Sequence, residues 1–118
     1  MNEIWHDYDS GNKLDAYVWR KADDKVFDEA DGGDVFETWE DGNVLNYDIP
    51  MVDNGGDYYS VDFPTAIKTK GVYRVAIALR GGANAAVGDK RIAQGEMSWD
   101  GMNEISIFTE TKSWEKNG

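Results

Sequence analysis

The residues able to do chemistry are few and poorly placed for it. His6 is the only histidine, in the acidic stretch Met1-Asn2-Glu3-Ile4-Trp5-His6-Asp7, and the chain has no cysteine. A histidine-based triad needs an imidazole held between a nucleophile and an orienting group. No Gly-x-Ser-x-Gly elbow is present to supply the nucleophile. Two carboxylates could hydrolyse a glycosidic bond. With 23 acidic residues in 118, any pair can be nominated, so nomination carries no information and solvated surface acids are the expectation. The Asp-rich stretches 28–34 and 53–57 offer the hard oxygens that calcium prefers, but no Glu closes a loop of about twelve residues from Asp28 or Asp53. Asx-Gly sequences are also what sharp β turns require. The expectation is therefore no metal and no cofactor. Segment 81–88, Gly-Gly-Ala-Asn-Ala-Ala-Val-Gly, lacks the Gly-Lys-Ser/Thr of a phosphate loop and reads as a strand connection. On these residues the chain is not expected to be an enzyme.

Aromatic side chains are the remaining candidates. Trp19, Trp39, Trp99, Tyr58 and Tyr59 fall inside strand-like runs, where at least half should be core. Trp19 and Tyr58 could stack on the apolar face of a sugar if they share one open surface. Trp5 and Trp114 sit in polar terminal segments with few apolar neighbours. Tryptophan is enriched at interface hot spots, which makes this pair the candidate partner-docking residues.

The elements that must position these side chains are strands. Gly, Asn and Asp recur between short runs rich in Tyr, Trp, Val, Ile and Phe, a spacing that suits an all-β sandwich or barrel. Over 72–80, Tyr73, Val75, Ile77 and Leu79 share one face and Arg74, Ala76, Ala78 and Arg80 the other. Segment 57–63 alternates likewise. Over 14–20, Leu14, Ala16 and Val18 share a face, but Tyr17 and Trp19 load the opposite one, so both faces are covered or one is an interface. Further strands are expected over 25–28, 35–39, 45–49, 91–99 and 103–108, with Gly95 marking a bulge or a close approach. No helical stripe stands out. The fold class is all-β: an antiparallel two-sheet β-sandwich, immunoglobulin-like, with about seven to nine short strands. The expected division is an acidic leader over 1–12, the sandwich over 13–109 and a polar tail over 110–118. The two ends are read either as docking segments separable from the body or as tails that fold back onto their own domain.

Composition narrows the partners. The formal charge is −11, which disfavours nucleic acid and anionic membrane surfaces and favours partners with basic patches. No run approaches the roughly 20 apolar residues of a membrane span, and no basic-then-apolar export signal opens the chain. Synthesis in a cytoplasm is the expectation.

The order of motifs resembles small β-sandwich proteins encoded among the virion genes of bacteriophages and prophages, in the class of immunoglobulin-like tail and baseplate domains. The resemblance runs over about 13–106 through Lys13-Leu14-Asp15-Ala16-Tyr17-Val18-Trp19-Arg20-Lys21, Tyr47-Asp48-Ile49-Pro50-Met51 and Gly71-Val72-Tyr73-Arg74-Val75-Ala76-Ile77. Its most specific parts are the Tyr58-Tyr59-x-x-Asp62-Phe63-Pro64 stretch and the Gly95-Glu96-x-x-Trp99-Asp100-Gly101 block. It implies a non-enzymatic virion structural or assembly protein. Its partners would be other virion proteins of the tail, baseplate, neck or capsid surface, with a homo-oligomer possible in the particle. The alternative is a carbohydrate-binding module on a host-surface glycan, with or without calcium.

Overall fold

The computed structural model describes residues 2–105. Trp114, the 110–118 tail and the end of the strand expected over 103–108 lie outside the described residues. In chain order the strands are β1 (Ile4–Asp7), β2 (Leu14–Arg20), β3 (Lys25–Phe27), β4 (Phe36–Glu37), β5 (Ile49–Pro50), β6 (Val52–Asp53), β7 (Tyr58–Val61), β8 (Gly71–Leu79), β9 (Lys90–Trp99) and β10 (Glu104–Ile105). A single helical turn, α1 (Val44–Tyr47), precedes β5. The described strands number ten rather than seven to nine, because β4, β5 and β6 are two-residue pieces. Among the described residues no helix is long and apolar enough to cross a membrane.

Two antiparallel sheets stack as a sandwich. One has the order β1-β7-β6, the other β10-β9-β8-β2-β3-β4, with β5 added against β2. Alternation explains why they stack. Tyr73, Val75 and Ile77 of β8 and Leu14, Ala16 and Val18 of β2 point inward and are at most 1% exposed. They meet Ile4, Tyr59, Phe63, Met97 and Trp99 in one continuous core. Each fully buried large apolar side chain contributes about 1.5–3 kcal/mol. Polar ends of the buried rings are satisfied: the Trp99 Nε1–H donates to the Ile67 carbonyl at 2.9 Å, and the Tyr73 hydroxyl to the Thr69 carbonyl at 2.6 Å. After Trp99, Asp100 caps the turn by accepting from the Met102 and Asn103 amides, and Gly101 follows at φ +101°. A Cβ at Gly101 would lie 2.6 Å from the Lys68 carbonyl oxygen, so this turn needs glycine for both its backbone angle and its space.

Three sequence expectations change. The 1–12 leader is part of the body: Ile4–Asp7 pairs with β7 from Ile4↔Val61 to Asp7↔Tyr58, and Ile4 is fully buried. Its four-residue alternation is too short, among acids, to stand out in the sequence. The strand expected over 45–49 is instead α1 followed by β5. A helical turn sets Val44 and Tyr47, three apart, on one side, where both pack on the outer face of the larger sheet. Leu45 is left 59% exposed. The bulge is not at Gly95, which stays in register opposite Val75; the irregularity falls between Ile77 and Ala78, opposite residues 91–93. Unbroken alternation would turn charged Arg91 inward and Ile92 outward. The shift sets Arg91 opposite Ala78 on the outer face and lets Ile92 pack against the core.

Candidate functional site

The outer face of the larger sheet carries a second apolar cluster. Tyr17 and Trp19 project from β2, Ala76 and Ala78 from β8, and Val26 from β3; Tyr47, Trp39 and Val44 fold over them. This settles the doubly loaded β2: both of its faces are covered. Trp39 stacks on Trp19 with ring centroids 5.8 Å apart and planes at 26°, meets Tyr17 edge-on at 5.8 Å, and lies 4.8 Å from Tyr47. Tyr47 is anchored by its hydroxyl, which donates to a Glu37 carboxylate oxygen and accepts from the Glu40 amide. Burial and the Glu37 carboxylate together push its phenol above the usual range.

Beside these rings is a half-open cavity of about 250 Å³. Tyr17, Trp39, Asp41, Ala78, Asp89 and Arg91 contribute to its walls. The 81–89 connection forms one side and is held in shape by Asp89, whose two oxygens accept from the Gly81 and Ala86 amides at 3.0 and 2.9 Å. Asp41 accepts from the Trp39 Nε1–H at 2.7 Å, fixing the indole. The bulge in β9 delivers Arg91, whose guanidinium sits 4.9 Å from the Trp19 ring centroid. Tyr17 is 3% exposed, and among the described residues its hydroxyl has no hydrogen-bond partner. Burial first, then the negative charges of Asp15, Asp48 and Asp89, push that phenol far above its ordinary range, so it stays protonated. An unmade hydrogen bond at a buried hydroxyl costs about 1–3 kcal/mol.

A buried ion pair lies on the same face of the larger sheet. Arg80 reaches from the end of β8 and grips fully buried Asp15 through two bonds, Nε to Oδ2 at 2.9 Å and Nη2 to Oδ1 at 2.6 Å. Its Nη1 also donates to the Ala83 carbonyl at 3.2 Å, which ties the 81–89 connection to β2. Asp48 lies 4.0 Å from the same guanidinium. Burial and the neighbouring Asp15 hold the Asp48 carboxyl above the usual range.

The opposite outer face, on the smaller sheet, is more open. Cross-strand pairing aligns Trp5, Ser60 and Val52 in one row. Trp5 and Tyr58 sit diagonally with ring centroids 6.1 Å apart, both half-buried, and Val52 is 57% exposed.

The sequence candidates are thus redistributed. Trp5, expected on a leader, and Tyr58, expected as a sugar platform, are neighbours on one face. Trp19 is on the other side of the sandwich, 5% exposed, with Trp39, Arg74 and Arg91 against its ring. Trp19 and Tyr58 cannot form one stacking platform, and the Trp19 ring has no free face to offer. Trp114 lies outside the described residues. His6 is in β1 beside Tyr8, in the smaller sheet and away from the cavity. In the Asp-rich stretches, Asp53 accepts from the Gly11 and Gly55 amides, which lower its carboxyl below the usual range, and Asp28 accepts from the Asp31 amide. Among the described residues no group of three or more His, Asp or Glu side chains is placed to hold a metal ion. Sequence reasoning missed Tyr17, Asp41, Asp89 and Arg91 as cavity residues. The only local signal was Trp39 two residues before Asp41, whose carboxylate the indole can reach.

Compared with known proteins, the chain matches no family model, no curated protein and no solved structure.

Proposed function

We propose that this chain is a non-enzymatic docking protein, and that it serves as a structural component of a phage or prophage particle that binds neighbouring virion subunits. The virion assignment rests on the motif order through 13–106. The docking assignment rests on one observation, the open patch of Trp5, Tyr58 and Val52 on the smaller sheet. Half-buried aromatics held on a rigid strand pair lose little side-chain freedom when a partner covers them, which is why such residues dominate interface energetics. The two cavity carboxylates are committed to structure. Glycoside hydrolysis needs one carboxyl kept as a proton donor beside a second ionised one. Asp41 and Asp89 instead accept from N–H groups that fix a ring and a loop.

The test is incorporation into particles. A Trp5→Ser/Tyr58→Ser double variant should lower incorporation about tenfold or more, as loss of interface hot spots does. Its melting temperature should stay close to the parent's. Incorporation at the parental level rejects this face as the docking surface. Deleting the first ten residues is not an equivalent test, because it removes Ile4 from the core.

A further inference from the structure

Taking the smaller sheet as the docking face, a reading on which this rests, we infer that it recognises arginine: the partner's guanidinium lies on the Trp5 and Tyr58 rings beside the Asp7 carboxylate. Strand geometry brings these three groups together. Trp5 and Asp7 are two apart in β1 and share its outer face, since Ile4 and His6 are buried on the other. Antiparallel pairing sets Asp7 directly opposite Tyr58, and the Tyr58 ring centroid is 6.1 Å from that of Trp5. Tyr58 is thus flanked along β1 by an indole and a carboxylate. Asp7 is half-buried, and the described residues place no hydrogen-bond donor or cation on its carboxylate.

Charge on this side of the sandwich has one sign. Stretches 2–12 and 51–63 supply all three strands of the smaller sheet and their flanking turns. They hold Glu3, Asp7, Asp9, Asp53, Asp57 and Asp62, and no Lys or Arg. An anionic partner would be repelled by every charge the face carries. A purely apolar partner would cover the rings but strip water from Asp7 and return nothing, and an unpaired carboxylate is costly to bury. A cation answers both groups, because the face of an aromatic ring attracts positive charge. Of the two cationic side chains, arginine fits better. Its planar guanidinium can lie on a ring while its edge donates to a carboxylate, whereas lysine offers a strongly hydrated point charge. The chain makes this contact once within itself: the Arg74 guanidinium sits 5.2 Å from the Trp19 ring centroid while its Nη2 donates to Asp24 at 2.6 Å.

The experiment titrates the full chain, at 0.15 M salt, with capped peptides Gly-Ser-X-Gly-X-Ser-Gly in which X is arginine, lysine, citrulline or glutamate. Citrulline keeps the plane and the N–H donors but not the charge. Binding is read from the NMR shift of the Trp5 indole N–H, identified by its absence in Trp5→Phe. The arginine peptide should saturate with a dissociation constant on the order of 1 mM. Lysine should bind about threefold more weakly and citrulline about tenfold, and glutamate should not bind. Asp7→Asn should weaken the arginine peptide about fivefold at an unchanged melting temperature. Glu29→Gln removes the same charge in the turn packed on α1, over the other side of the sandwich, and should leave affinity within about twofold of the parent's, as an exposed charge far from the site does. No saturation by arginine overturns the assignment, as does equal affinity for lysine or citrulline, or an equal loss in Asp7→Asn and Glu29→Gln. Particle incorporation reports on docking separately. Incorporation lost in Trp5→Ser/Tyr58→Ser without arginine binding keeps the face and removes the arginine; arginine binding with parental incorporation keeps the recognition and removes the docking role.

Discussion

Asp48 shows how a single carboxyl can be placed against its own preference. Buried beside Asp15, it is held above the usual carboxylate range even though Arg80 lies 4.0 Å away. A folded-state pKa above the unfolded value means that the folded chain takes up the proton first. The resulting stabilisation is fully present below the unfolded value near 3.8 and is lost as pH rises through the folded value. Asp48→Asn removes the charge that burial disfavours. It should therefore raise the melting temperature at pH 7, with the gain shrinking toward zero as pH approaches 4. A melting series from pH 4 to 8 checks this; a variant less stable than the parent at pH 7 would show that the Arg80 attraction outweighs burial. Little of this was legible in the sequence. Asp15 and Arg80 are 65 positions apart, and only the β2–β8 register, with Asp15 opposite Ala78, brings them together. The same holds for Tyr17, whose place among the rings follows from strand pairing rather than from neighbours along the chain.

At the level of elements, the readable parts were those with long alternation. β8 and β7 follow their inward and outward residues as the sequence predicts, since nine and four residues of strict two-residue period leave one arrangement that buries the apolar set. Three other features depend on tertiary context. β1 is held by its pairing with β7, α1 by the ring cluster it covers, and the β9 shift by the conflict between charged Arg91 and apolar Ile92. The leader that became a strand gives a direct test. Ile4→Ala should destabilise the protein by about 2–5 kcal/mol, the range for emptying a fully buried isoleucine site, as measured by urea denaturation. A loss under about 0.5 kcal/mol, typical of surface substitutions, would mean that β1 is only loosely attached.

For the molecule as a whole, the charge of −11 acts at longer range than any contact described above. Encounter with a basic partner is steered by this field, and screening shortens its reach from about 10 Å at 0.1 M salt to about 3 Å at 1 M. Association of the protein with the proposed virion partner should therefore slow by an order of magnitude or more across that span, while dissociation changes less. Stopped-flow mixing at several salt concentrations separates the two. An association rate indifferent to salt would leave the Trp5–Tyr58–Val52 patch as the sole source of affinity and dismiss electrostatic steering.

The stacked indoles of Trp19 and Trp39, with Tyr17 and Tyr47 alongside, also shape how the protein interacts with light. Chromophores this close share their excited states, and the split transitions of such a pair overlay the far-ultraviolet dichroism by which strand content is usually judged. Dichroism of this chain will therefore mix ring and strand signals, and infrared amide absorption, to which the rings contribute little, is the fairer gauge of its sheets.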